Sequence, residues 1–258
     1  MSEKYLIASD FDGTIIHWPS GVIDDEDREA IKRFRAAGNM FVVVTGRMYG
    51  AAVDVFESSN FHDMDGFLCL SGALAARPDG SVIYEKEINA SVLPEMADFF
   101  RGTGARYMNI DVGTRSYSFD IGGDLSFGFP MLSSDGLSKL DTFTSLNVGY
   151  ADDETAHEVC KTLAEKFGSA ITPLQNKNAI DMPPAGVNKA VGVKFAGEMF
   201  NISDDKIFTV GDGHNDIDMV RAFNGSAMDC GPDELKCAAK RTVHRVHEII
   251  DIIMSKRG

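Results

Sequence analysis

Two aspartates one residue apart close an apolar run in the stretch Ser9–Ile16, "SDFDGTII", and a glycine follows at once. Carboxylates this close at the end of a buried segment are costly, and the chemistry that repays them is narrow: together they hold a cation, or one attacks while the other moves a proton. Two further polar outbreaks follow apolar runs, "TGR" at Thr45–Arg47 and "GDGHND" at Gly211–Asp216. Neither acidic loop is an EF-hand calcium loop, which needs Gly sixth and Glu twelfth. Counting from Asp10 those places hold Ile15 and Gly21, and the sixth from Asp212 is Ile217. No G-x-x-x-x-G-K-[ST] phosphate loop occurs either.

Periodicity gives the elements that must position these residues. Tyr5–Ser9, "MFVVV", and the apolar runs in "GFLCLSGA" and "KIFTVGDG" are short and continuous, as strands buried on both faces are. Asp24 to Asp27 open a helical pattern with Ala30, Ile31, Phe34 and Ala37 on one face and a stop at Gly38. "RPDGS" reads as a hairpin turn, and "VHEIIDIIMSKR" as a closing helix. Strand and helix in alternation predict an α/β fold, a doubly wound parallel sheet assembled from both ends of the chain. Ligands of such sheets bind beyond the carboxyl ends of the strands, where all three polar outbreaks fall. Along an extended backbone residues i and i+2 point the same way, so Asp10 and Asp12 are expected to face one site while Phe11 turns to the core.

The middle of the chain has another texture. "SVLPEMADFF" places Val92, Leu93, Met96, Phe99 and Phe100 at helical spacing, and "DETAHEVCKTLAEKFG" does the same with Ala156, Val159, Cys160, Leu163 and Phe167. The expectation is an inserted α+β domain at 85–185 on a core of 1–84 and 186–258, with no element assignable in the Gly- and Ser-rich stretch 122–136.

Composition narrows the partners. Across 258 residues, 25 Lys and Arg against 39 Asp and Glu leave a formal charge of −14, which repels nucleic acid and anionic membranes. An anionic ligand therefore needs a local device that reverses the sign. Cys69, Cys160, Cys230 and Cys237 form no C-x-x-C pair and read as reduced core thiols. With no signal-peptide or membrane-span pattern, a cytoplasmic protein without an obligate protein partner is expected.

In order, "DFDGT" from Asp10, "VVVTGR" ending at Arg47, Lys189 in "GVNKAVG", and "GDGHND" resemble the four motifs of the haloacid dehalogenase (HAD) superfamily of phosphohydrolases. The insertion between the second and third motifs resembles the large α/β cap of the Cof-type branch. The resemblance implies a Mg²⁺-dependent phosphatase of a small phosphorylated metabolite, foremost a sugar phosphate, working through an aspartyl-phosphate. It implies Asp10 as nucleophile and Asp12 as proton donor and acceptor, with the neighbouring carboxylate raising the pKa of the acid. Thr45, the Gly46 amide and Lys189 would hold phosphoryl oxygens, helped by Arg47 and Asn215. Asp10, Asp212, Asp216 and the backbone carbonyl of Asp12 would surround the metal.

Lys189 is expected in the first turn of a helix running to Phe200, where a cation opposes the helix dipole and a bound anion would relieve it. Asp111, Arg115 and Lys177 are polar cap candidates. His214 reads as an exposed loop residue, His17 and Trp18 as entrance or ordinary loop, and Ser71 replaces an asparagine common in relatives, so no contact carries over there. Two rivals share the pattern: a phosphosugar mutase, and a non-catalytic phosphometabolite-binding protein, against which intact Asp10 and Asp12 speak.

Overall fold

The computed structural model describes residues 3–17 and 19–255, so Trp18 and the last residues of the closing helix pattern lie outside it. The core opens with β1 (Leu6–Asp10), α1 (Asp25–Ala36), β2 (Met40–Val44), α2 (Tyr49–Ser58), β3 (Gly66–Cys69), β4 (Leu74–Ala76) and β5 (Val82–Glu85). A second unit follows: β6 (Ile88–Asn89), α3 (Leu93–Arg101), β7 (Tyr107–Val112), β8 (Arg115–Phe119), β9 (Met131–Leu132), α4 (Ser134–Ser138), β10 (Thr142–Phe143), β11 (Ser145–Gly149), α5 (Asp153–Phe167), β12 (Leu174–Asn176) and β13 (Ala179–Met182). The chain then returns through α6 (Lys189–Phe200), β14 (Ile207–Gly211), α7 (Ile217–Ala222), β15 (Asn224–Met228), α8 (Asp233–Ala238), β16 (Arg241–Val243) and α9 (Val246–Ser255).

Eight strands form one sheet in the order β16-β15-β14-β1-β2-β3-β4-β5, parallel from β16 to β3 and antiparallel at β4 and β5. Strand alternation splits its apolar side chains. Ile7, Phe41, Val43 and Phe208 pack with α1 and α9, whereas Leu6, Ala8, Val42 and Val44 pack with α6 and α7. Both faces are covered, which is why these strands read as unbroken apolar runs.

The insertion folds over a six-stranded sheet of order β12-β13-β11-β7-β8-β9. Met108, Ile110, Leu146, Val148, Ile180 and Met182 bury one face against residues of α3 and α5. Their neighbours in sequence, Asn109, Asp111, Ser145, Asn147 and Asp181, take the other face. That face looks toward the core: β12 lies against the turn His214–Asp216, and β8 against α2.

Several expectations are adjusted. Cys230 and Cys237 are exposed, and only Cys69 is a buried thiol. The stretch 122–136 contains the two-residue β9 and the start of α4, elements too short to leave a period. β5 carries the core sheet to Glu85, one residue past the expected boundary. Among the described residues no helix is long and apolar enough to cross a membrane.

Candidate active site

β1 occupies the middle of the sheet, with Asp10 as its last residue between β2, which leads into Thr45–Arg47, and β14, which leads into Asp212. Three loops therefore meet at one edge. Lys189 reaches them from the first residue of α6, and a close glycine contact lets it. The backbone at Gly72 comes so near α6 that a Cβ there would stand 2.6 Å from the Asn188 carbonyl oxygen, and one on Gly192 would stand 2.8 Å from Gly72 Cα. The Asn188 side chain caps the helix by accepting from the Val191 N–H.

Lys189 Nζ donates to Asp10 Oδ1 and to Asp216 Oδ1, each at 2.6 Å. All three side chains are buried. The cation at the helix start is thus already met by two carboxylates, and the dipole conflict needs no bound anion to relieve it. Asp216 Oδ2 accepts from the backbone N–H of Asp212 at 3.1 Å and of Gly213 at 2.9 Å, which fixes the loop. The Thr14 hydroxyl donates to Asp212 Oδ1 at 3.1 Å and lies 3.5 Å from Asp10 Oδ2. Gly13, at φ +83°, is required here, since a Cβ would fall 2.2 Å from Asp212 Oδ2.

Carboxylate oxygens of Asp10, Asp212 and Asp216 lie within 4.8 Å of one another. Three carboxylates against one ammonium leave two negative charges, the amount that one divalent cation balances, and an all-oxygen donor set suits a hard one. The strain shows in the titration. Burial and Asp216 push the Asp10 carboxyl well above the usual range against the pull of Lys189, and burial raises Asp212 as well. Burial pulls the Lys189 ammonium down, but Asp10 and Asp216 outweigh it and the net shift is upward.

Asp12 departs from expectation. Arg47 holds it by a two-point fork, Nε to Oδ2 and Nη2 to Oδ1, both 2.7 Å, so its nearest charge is a guanidinium and not a second carboxylate. β1 ends at Asp10 and the chain coils at once, with the N–H groups of Ile15 and Ile16 both bonding to the Phe11 carbonyl. The Asp12 side chain is accordingly outside the three-carboxylate cluster.

Thr45 is buried, and its Oγ1 accepts from the Arg47 N–H at 3.1 Å. A Cβ on Gly46 would stand 2.7 Å from Asp181 Oδ2 of β13, so the bare backbone there admits a carboxylate of the insertion. Asn215 is half-buried and His214 exposed. Of the polar cap candidates, Asp111 is buried on the face toward the core, whereas Arg115 and Lys177 are exposed.

Sequence reasoning passed over Thr14, Asn109 and Asp181, and it assigned Ser71 no contact; the structure places all four at or facing this edge. Leu70 and Ser71 are both non-glycine residues at positive φ (51° and 54°), local strain of the kind that accumulates at functional sites. The Ser71 hydroxyl and Asn109 Nδ2 are buried and have no hydrogen-bond partner among the described residues. Asn147 Nδ2 donates to Asp181 Oδ1 at 2.6 Å, and the Ser118 hydroxyl to Asn109 Oδ1 at 3.0 Å. The signal for Asn109 and Asp181 was the alternation in "YMNIDV" and "AIDM", which puts the polar residues on one face; Thr14 carried none.

Burial pushes Asp111 up to about 7 and Asp181 up to about 6. The folded state therefore binds extra protons between roughly pH 4, where an unfolded Asp titrates, and those values. Stability contributed by these groups falls as pH rises through that window. Asp111→Asn is expected to raise the melting temperature at pH 8 by several degrees, with an upper bound of about 4 kcal/mol from a shift of roughly three units, and to leave it unchanged near pH 4. Thermal melts at both pH values check this; equal melting of the two proteins at pH 8 refutes it.

The sequence model of the haloacid dehalogenase-like hydrolases matches residues 7–251. This chain belongs to that family. A 5-amino-6-(5-phospho-D-ribitylamino)uracil phosphatase from Escherichia coli is 25% identical to this HAD-like hydrolase over 244 residues, covering 91% of this chain and 89% of that protein. The fold of this chain is similar to that of a HAD/COF-like hydrolase from Plasmodium vivax, with a TM-score of 0.82 at 21% identity over 98% of this chain and 96% of the other. A HAD subclass IIB sugar phosphatase gives a TM-score of 0.79 at 19% identity over 97% and 99%. Core and cap are thus those of a Cof-type HAD-like hydrolase, and the chain is a phosphoric monoester hydrolase.

Proposed function

We propose that this HAD-like hydrolase is a Mg²⁺-dependent phosphatase of a small phosphorylated metabolite, a sugar or polyol phosphate, acting through a phosphoryl group carried on Asp10. The observation that carries the reading is the convergence of Asp10, Lys189, Asp212 and Asp216, from opposite ends of the chain, into one buried cluster.

Lys189 engages Asp10 Oδ1, which leaves Oδ2, 3.5 Å from the Thr14 hydroxyl, as the attacking oxygen. As the Oδ2–phosphorus bond forms, the bond to the leaving oxygen breaks, and Asp12 gives that oxygen its proton. Asp12 then takes a proton from water, which attacks phosphorus and releases inorganic phosphate and the Asp10 carboxylate. For either transfer Asp12 must exchange its contact with Arg47, and the freed guanidinium is then available to a phosphoryl oxygen. Lys189, Thr45 and the Gly46 amide orient the other oxygens, with Asn215 at the rim. Asp10, Asp212 and the Asp12 carbonyl, supported by Asp216, would hold a divalent cation, which would supply positive charge that offsets the phosphoryl oxygens and would keep Asp10 ionised.

Residues 85–185 are assigned to substrate choice, and 1–84 with 186–258 to the chemistry. The polar sheet face of Asn109, Asp111, Asn147 and Asp181 suits a ligand rich in hydroxyls, as do the ribityl chain in the name of the Escherichia coli relative and the sugar phosphatase likeness. Four unpaired cysteines accord with a reducing cytoplasm.

The test is a screen of purified protein against phosphorylated sugars, polyols, nucleotides and vitamins, reading inorganic phosphate with and without chelator. Phosphate release that falls at least about 100-fold in EDTA and returns with Mg²⁺ is expected. Full turnover in chelator defeats the metal role, and isomer formation without phosphate makes the protein a mutase.

A further inference from the structure

A second group of ligating side chains lies where the loop after β1 meets the starts of α1 and α9. His17 follows the Asp10–Thr14 turn and pairs across a backbone bridge with Val22. Asp24 precedes α1 and Asp27 sits in its first turn. One ligand atom from each of His17, Asp24 and Asp27 lies within 4.8 Å of the others.

What distinguishes the group from an ordinary acidic surface is its unmet polar atoms. Asp27 is 0% exposed, and its Oδ1 accepts from the His247 backbone N–H at 2.7 Å, with the His247 ring Nδ1 at 3.2 Å. Its Oδ2 and the His17 Nε2 are buried without a hydrogen-bond partner among the described residues. A buried carboxylate oxygen left in this state is expensive, and burial raises the Asp27 pKa accordingly. Arg245 Nε stands 2.6 Å from Asp24 Oδ2, but this pair accounts for Asp24 alone.

We propose that His17 Nε2, Asp24 and Asp27 hold a divalent cation of the borderline class, Zn²⁺ before Mg²⁺, at a site separate from the Asp10 cluster. His17 Nε2 and Asp24 Oδ2 are 3.9 Å apart. A point midway between atoms so spaced is about 2 Å from each, the length of Zn–N and Zn–O bonds. One imidazole nitrogen with two carboxylate oxygens suits Zn²⁺, whereas Mg²⁺ takes oxygen alone. His247, on the other oxygen of Asp27, orients that ligand. Waters complete the coordination. The bound ion ties the loop that carries Asp12 and Thr14 to α1.

The test is Zn²⁺ stoichiometry of the full chain by calorimetry and elemental analysis, in wild type and in Asp212→Asn, which weakens the Asp10 cluster. His17→Ala is expected to remove one Zn²⁺ per chain in both backgrounds, and with it the visible absorption of bound Co²⁺ at that site. His17 is only half-buried, so the variant keeps its fold, checked by circular dichroism without metal; Asp24→Asn gives a second reading at a more exposed position. Stoichiometry unchanged by both substitutions overturns the proposal, as does an Asp212→Asn protein that binds no Zn²⁺.

Discussion

Asp10→Asn is expected to lower kcat by on the order of 10⁴-fold or more while the protein folds at least as well as wild type. The loss follows because an amide neither attacks phosphorus nor carries it, and nothing else in the cluster stands at the end of β1 to replace it. The gain in stability follows from the titration: burial and Asp216 already oppose ionisation of Asp10, so a neutral side chain of the same shape removes a repulsion. Lys189 keeps Asp216 as partner, and an amide oxygen still accepts its second bond. Phosphate release measured beside thermal melts at pH 7 checks both halves. Turnover within about tenfold of wild type would remove Asp10 from the reaction and the covalent mechanism with it.

Lys189→Ala has the opposite signature, a loss of activity together with a loss of fold stability. Lys189 is 1% exposed and is the cation that Asp10 and Asp216 share. Removing one partner of a buried ion pair costs about 3–5 kcal/mol, because the carboxylates stay behind. The cost depends on pH. Without the ammonium, the carboxyls of the folded state bind protons more readily than those of the unfolded chain, so the variant recovers stability as pH falls toward 5 and loses it as pH rises to 8. Adding Asp216→Asn removes one of the stranded charges and is expected to restore part of the stability but none of the turnover, a coupling that a double-mutant cycle reads directly. A Lys189→Ala protein as stable as wild type at pH 8 would mean that the three carboxylates are not held together as the structure shows them.

Much of this was legible before any coordinates. The core strands were readable because sheets covered on both faces leave unbroken apolar runs, and the loops at their ends stand out as abrupt polarity. What the sequence could not give was direction within those loops. Asp12 lies two residues past the end of β1, and its fork from Arg47 depends on a contact across 35 positions of chain. Asp181 was missed for a different reason: the alternation of its four-residue strand shows a polar face but not what that face meets, and only the missing Cβ of Gly46 reveals what it approaches.

The register of β1 has a consequence for how the protein is made. Leu6 pairs with Met40 on one side and with Ile207 on the other, so a nascent chain carries its first strand with one edge open while the whole insertion is synthesised. That insertion draws its buried apolar cluster entirely from Ile88 to Met182 and can finish its own interior on the ribosome. Asp10 emerges well ahead of Lys189, and it acquires that lysine and its acidic companions only once Asp216 has left the exit tunnel. A chain cut short between Met182 and that point has a complete insertion and no closed acidic cluster beneath it.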